Sequence, residues 1–270
     1  MTARGTVVVV TGATRGIGLG IAKELLKRNA RVVICGRSQE SVDKALAELG
    51  GGALVSGIPC DVSSHEDIQR LWDHAIEKYG KVDHWVNNAG IGIDRKPLDE
   101  LAPADIDRIC LVNLAGIIHG TAIPLRGMNA QGGGVIWNME GFGSGGQMSE
   151  QMSVYGATKR AVNYFTASMI KDQKDSKVGV AFLSPGIVKT DLLLDDYKGQ
   201  PEAFEKAKKF FNILGDTVED VTPVLAEGIL TKGGNGARVE WLTKGKAAGR
   251  FFNAFVLRKK RHLFDDVVIT

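Results

Sequence analysis

Apolar residues enter this chain in two rhythms that alternate along most of its length. Residues 6–11 (T-V-V-V-V-T) form a continuous β-branched run ahead of a glycine, which predicts a strand buried on both faces. Residues 16–28 follow with Ile17, Ile21, Leu25 and Leu26 at helical spacing. The pair of rhythms repeats as strand 31–35, helix 38–49 with Ser38 as N-cap, strand 53–60, helix 64–79 opened by a Ser64/Asp67 capping pattern, and strand 82–87. One long helix is expected over 103–128, with Pro124 kinking or shortening it; strand 135–139, helix 154–173 and strand 178–184 come next. Residues 190–214, rich in Leu, Phe, Lys and Asp, look helical and interrupt the alternation. A helix over 217–231 and a strand over 238–242 resume it. Such alternation predicts an α/β fold: a doubly wound parallel sheet with helices on both faces. Neither a linker nor a repeat divides the sequence, so one domain is expected over 1–270. The 190–214 insertion should lie beside the ligand crevice, and 244–270 forms a basic tail.

Composition narrows the class. Apolar residues make up 44% and charged residues 24%, enough for a large core and unlike a disordered chain. There are 34 glycines against the roughly 19 that a background of about 7% would give, but they do not recur every third residue as in collagen. The net charge of +3 hides an asymmetry: residues 244–261 hold seven basic side chains and no acid, leaving 27 basic to 31 acidic elsewhere. Cys35, Cys60 and Cys110 lack metal-ligand spacing and are expected to be buried, reduced thiols; the five histidines form no zinc set. Residues 1–5 carry no apolar run, and no apolar run approaches the roughly 20 residues that span a bilayer. The expectation is a soluble or at most peripheral protein of the cytoplasm or another reducing compartment, a plastid included if a transit peptide has been removed.

The first strand runs into T-G-A-T-R-G-I-G (residues 11–18), which opens the first helix. In that setting a glycine-rich turn cradles a dinucleotide pyrophosphate. Gly12 permits the tight turn, Gly16 lets the backbone approach the phosphates, and Gly18 lets the helix pack closely; Thr14, Arg15 and Ile17 complete the loop. Many such turns bind nothing, so the end of the second strand matters. An acid there would bond the ribose 2′-hydroxyl, but the strand ends Cys35-Gly36-Arg37-Ser38. Arg37 and Arg15 offer cationic forks for a 2′-phosphate, which favours NADPH/NADP; the alternative is two solvated arginines.

Tyr155 and Lys159 form Y-x-x-x-K at the start of a helix and share one face. A phenol titrates near about 10, and an adjacent ammonium favours the phenolate, so the pair can pass a proton to a reduced carbonyl or take one from an alcohol. Alone, the spacing is commonplace. In company with T-G-x-x-x-G-I-G, Asn87-Asn88-Ala89-Gly90, Asn113 and Pro185-Gly186 over residues 5–242, it resembles the short-chain dehydrogenase/reductase family. That resemblance implies a Rossmann-type fold, an NAD(P) cofactor and hydride transfer at a CH–OH or carbonyl group. It implies that Asp61 and Val62 border the adenine and that Asn87, Ala89 and Gly90 line the cofactor wall. Lys159 should hold the nicotinamide ribose, Ile187 and Thr190 the carboxamide, and Asn113 a relay water. One position departs from the pattern. The family's carbonyl-polarising serine stands 13 residues before the tyrosine, where this chain has Phe142. Ser144, within the glycine-rich stretch 140–146, is expected to replace it through a rearranged loop; otherwise another donor serves.

Within the family, W-N-M-E-G-F-G-S-G-G (137–146), Y-G-A-T-K-R-A-V (155–162), L-S-P-G-I-V-K-T-D-L-L-L (183–194) and K-K-F-F-N-I-L (208–214) are similar to the chlorophyll b reductases. The similarity implies chlorophyll catabolism, reducing the 7-formyl group of chlorophyll b or a derivative to hydroxymethyl. A flat macrocycle needs a wide apolar mouth, which Leu192, Leu193, Leu194, Phe204, Phe210, Phe211 and Leu214 can supply, unless they are the core face of the insertion. Another apolar ketone or alcohol, or NADP sensing without turnover, remain alternatives. Phe251, Phe252, Phe255, Val256 and Leu257 beside basic residues fit a subunit interface, an anionic membrane surface or a solvated tail. The family's habits imply a homodimer or homotetramer; no nucleic-acid motif accompanies the charge, and no metal site is expected.

Overall fold

The computed structural model describes residues 3–269; residues 1, 2 and 270, the ends of the expected domain, lie outside the described residues. Seven strands pair in parallel: β1 (Val7–Val10), β2 (Arg31–Gly36), β3 (Val55–Pro59), β4 (His84–Asn87), β5 (Gly134–Met139), β6 (Val178–Ser184) and β7 (Arg238–Glu240). Their spatial order is β3-β2-β1-β4-β5-β6-β7. The order reverses between β1 and β4, which opens a crevice at the strands' carboxyl ends.

The helices are α1 (Gly16–Lys27), α2 (Gln39–Glu48), α3 (His65–Tyr79), α4 (Pro103–Cys110), α5 (Gly116–Gln131), α6 (Ser153–Asp172), α7 (Asp191–Asp195), α8 (Pro201–Leu214), α9 (Val218–Thr231) and α10 (Lys244–Phe255). Successive strand residues face opposite sides of a sheet. Thus Val8 and Val10 pack with Ile21, Leu25, Val221 and Leu225 under α1 and α9. Val9 packs with Leu71, Trp72, Ile123 and Met128 under α3 and α5. The all-valine β1 is fully buried because both its faces are core.

The helix expected over 103–128 runs continuously from Pro103 to Gln131, with a π turn at Leu111–Ala115 joining α4 to α5. Pro124 does not end it. Proline lacks the N–H that would bond the carbonyl four residues back. That carbonyl, on Gly120, instead accepts from Asn87 Nδ2 at 2.9 Å. By length and composition this helix is apolar enough to cross a membrane, a property that separate apolar runs in the sequence conceal. Its partners are α3, α6 and the sheet. Gly127 lies so close to Trp72 of α3 that a Cβ there would overlap the indole.

The insertion forms α7 and α8, and the tail packs onto it. Tyr197, Phe204, Phe211 and Phe264 make a third apolar cluster beyond the sheet. Arg250 and Arg261 converge on buried Asp216, which also accepts from Trp241. These tail residues are therefore docked rather than solvated, while Phe252, Phe255, Val256 and Leu257 stay exposed. Cys35 and Cys60 are buried as expected; Cys110, at the end of α4, is exposed instead.

Candidate active site

The carboxyl ends of the strands enclose one crevice of about 1480 Å³. Its phosphate end is built by the β1–α1 loop. Thr11 Oγ1 accepts from Asn88 and Ala89 N–H at 3.0 and 3.1 Å, and Asn88 Nδ2 donates to Thr11 O at 2.8 Å. These bonds fasten the loop to the end of β4 across the switch point. Gly18 could carry no side chain, since a Cβ would lie 2.5 Å from Asn88 Nδ2 and 2.6 Å from Gly12 O. Across the gap, Thr190 faces Gly16, whose φ is +57°.

The helix termini differ in how they are capped. α2, α3 and α9 are capped by Ser38, Ser64 and Thr217 and carry acids in their first turns. α1 has neither a capping side chain nor an acid, so its free N–H groups and positive dipole end face the crevice. That donor set fits a pyrophosphate. Beside it, Arg15 and Arg37 line the crevice with Ser38, the cap of α2, and with Ser41 and Arg108, which the sequence did not single out. Partial burial opposes the charge of Asp61, but hydrogen bonds from Ser63 and the cations of Arg37 and Arg108 outweigh it and hold its carboxyl below the usual range.

At the other end, α6 presents Tyr155 and Lys159 one turn apart, with Lys159 Nζ 5.9 Å from the Tyr155 ring centre. Gly141 at the end of β5 lies against both: a Cβ there would sit 2.7 Å from the Tyr155 hydroxyl and 3.0 Å from Lys159 Cε. Burial pushes the Tyr155 phenol well above its ordinary value, and the charge of Asp196 adds to the rise. The expected lowering by Lys159 is not what the chain alone produces. Burial weakens that ammonium too, lowering its pKa to about 8, with Glu140 pulling the other way. Glu140 is itself buried, paired to Arg238 and bonded by Asn163.

A family model for short chain dehydrogenase matches residues 6–200. The chain belongs to that family. The probable chlorophyll(ide) b reductase NYC1, chloroplastic, of Arabidopsis thaliana is 36% identical across 96% of this chain. This chain spans about half of that relative's length, 54%. Chlorophyll(ide) b reductase NOL, chloroplastic, of Oryza sativa subsp. japonica is 35% identical across 96% of this chain and 78% of its own. Among solved structures, 3-ketoacyl-(acyl-carrier-protein) reductase from Brucella melitensis complexed with NADH superposes with a TM-score of 0.78 at 25% identity, over 91% of this chain and all of its own.

In this short-chain dehydrogenase most of the residues expected to bind cofactor line the one crevice. Gly12, Thr14, Arg15, Gly16, Ile17, Gly18, Arg37, Asp61, Val62, Ala89, Gly90, Tyr155, Lys159, Pro185, Gly186, Ile187 and Thr190 all do so. Three expected residues stand behind the wall. Asn87 does not line it: its side chain bonds Trp85, Gly120 and Asn138 in the core, and Asn88 takes the wall position. Asn113, in the π turn, is fully buried and exchanges hydrogen bonds of 2.8 and 2.9 Å with the Ile91 backbone. The glycine-rich loop does not turn Ser144 toward the crevice. Its hydroxyl accepts from Gly141 N–H at 3.1 Å and donates to Lys159 O at 3.2 Å, because the loop folds inward onto α6. Phe142 lines the crevice in the place of the family's serine. Of the expected apolar mouth, Leu192, Leu193, Phe210 and Phe211 face the crevice, while Phe204 and Leu214 are buried and Leu194 packs on the third cluster.

Proposed function

We propose that this oxidoreductase reduces a formyl or ketone carbonyl on a large apolar substrate with NADPH, in the manner of a chlorophyll b reductase acting on the 7-formyl group. The observation that carries the reading is a pair of buried Lys159 and half-buried Tyr155 opening onto a crevice whose outer wall is Leu192, Leu193, Phe210 and Phe211. Arg37 and Arg15 at the phosphate end support a 2′-phosphorylated dinucleotide. When bound, the reduced nicotinamide supplies the hydride. The chain does the rest. Lys159 holds the ribose and, titrating near pH 8, restores a proton to Tyr155. Tyr155, kept neutral by burial, gives its proton to the carbonyl oxygen. Asn113 and Ser144 act as positioning residues, one fixing the loop after β4, the other joining the Gly141 turn to the Lys159 backbone.

Exposed Ile118 and Tyr164, on helices that pack together, support a homodimer or homotetramer. Three free cysteines fit a reducing compartment, plastid or cytoplasm. The inward Ser144 favours one second reading, an NADP-binding protein without turnover. A solution of chlorophyll b with NADPH, followed by absorption, separates the two. Loss of the formyl-conjugated spectrum is expected, with Tyr155→Phe slowing it by at least 10³-fold while NADPH still binds. Full activity in Tyr155→Phe overturns the assignment; reduction of other flat aldehydes but not chlorophyll b replaces only the substrate.

A further inference from the structure

The position that Phe142 occupies leaves the carbonyl oxygen with one donor, Tyr155, where the family has two. The opposite wall offers a second. Asp196, at the end of α7, lines the crevice, and its Oδ1 rests on Gly92 so closely that a Cβ there would overlap it. The loop after β4 is thus glycine where the carboxyl must seat. Among the described residues, the Asp196 side chain has no hydrogen-bond or ion-pair partner, although it is half-buried and its charge is felt at Tyr155. The two more deeply buried carboxyls of this region are both engaged: Glu140 by Arg238 and Asn163, Asp216 by Arg250, Arg261 and Trp241. A half-buried carboxyl that lines a crevice and has no protein partner is open to a ligand's hydrogen bond.

We propose that protonated Asp196 donates the second hydrogen bond to the substrate's carbonyl oxygen, taking the part of the absent serine. This rests on the carbonyl-reductase reading above. The carbonyl carbon still gains a hydride and its oxygen the Tyr155 proton; Asp196 keeps its own proton and transfers none. The groups around it decide when it can do so. Burial pushes its carboxyl up to about 7; Arg95, from the loop after β4, opposes the rise, while Asp195 and Asp94 add to it. Tyr155 and Tyr197 stay neutral beside it. The Arg95 guanidinium stacks 4.4 Å from the Tyr197 ring centre, so it is turned to an aromatic face, and among the described residues it forms no ion pair with the carboxyl. Reduction should therefore slow as pH rises through about 7, as the acid becomes a carboxylate facing the developing alkoxide.

The test uses the full chain with NADPH and 1-pyrenecarboxaldehyde, a flat apolar aldehyde, alongside chlorophyll b. Asp196→Ala is expected to lower kcat by about 100-fold with NADPH affinity unchanged. Asp196→Asn, which keeps an N–H donor, should recover at least tenfold of that loss and remove the fall in rate near pH 7. Asp196→Ala within threefold of wild type overturns the proposal, as does an Asp196→Asn variant equal to Asp196→Ala, or one that keeps the wild-type pH profile. Loss of NADPH binding in both variants also overturns it, as the mark of a structural role. Tyr155→Phe is run in parallel. If it stays active, the carbonyl-reductase reading itself fails; if it is inactive while Asp196→Ala is not, only the role of Asp196 fails.

Discussion

Arg37 shows how much one side chain can carry. It is exposed, stands where an acid would select NADH, and its charge reaches Asp61 across the adenine end of the crevice. A charge-assisted hydrogen bond to a 2′-phosphate is worth about 2 kcal/mol, or about 30-fold. Arg37→Asp should therefore move the ratio of kcat/KM for NADPH over NADH by at least that factor toward NADH; an unchanged ratio would remove Arg37 from cofactor choice. That proposal is open to sequence reading because it depends on a residue type at the end of a strand. The orientation of Ser144 is not. Its hydroxyl is two residues from the family position, but which way it faces is decided by Gly143 at φ +96°, which folds the loop onto Gly156 of α6. Asn87 misled for a similar reason: adjacent residues on a strand face opposite ways, and the motif alone does not say which asparagine meets the crevice.

Among elements, the strands and helices of the alternating part were readable nearly throughout, since each is a burial pattern of its own. The tail was not, because its partners lie far away in sequence. Asp216 follows α8, and the tail reaches it through Arg250 and Arg261. Burial raises the Asp216 pKa, but Arg250, Trp241 and Arg261 outweigh it and hold the carboxyl below its ordinary value. A lowered folded pKa means that this stabilisation is complete above the ordinary carboxylate range and is lost as pH falls through the folded value. The tail should stay docked at neutral pH and loosen only in strong acid. Asp216→Asn leaves two cations facing a neutral amide and should cost about 3 kcal/mol. Urea denaturation checks the magnitude, and faster tryptic cleavage within residues 258–261 checks the location.

At the scale of the whole molecule, two cores sandwich the sheet and a third, beyond its carboxyl edge, backs the crevice at Leu193 and Phe211. Phe264 joins the tail to that third core and is fully buried. Phe264→Ala should cost about 3–5 kcal/mol by cavity formation. Because Phe211 touches both Phe264 and the crevice, weaker binding of the large aldehyde is expected with NADPH affinity preserved. Calorimetric unfolding and separate titrations of the two ligands would show whether the cofactor half and the substrate wall are separable in this way.

The tie between Gly120 and Asn87 bears on where the long apolar helix can live. A proline in its middle leaves one carbonyl without a helical donor, and the sheet supplies that donor from the end of β4. Moved into lipid alone, the same helix would carry the carbonyl bare, at a cost of several kcal/mol. Pro124 thus gives the segment an address: hydrophobicity leaves it free to choose between protein and bilayer, and one missing N–H steers it to the strand that holds the matching amide.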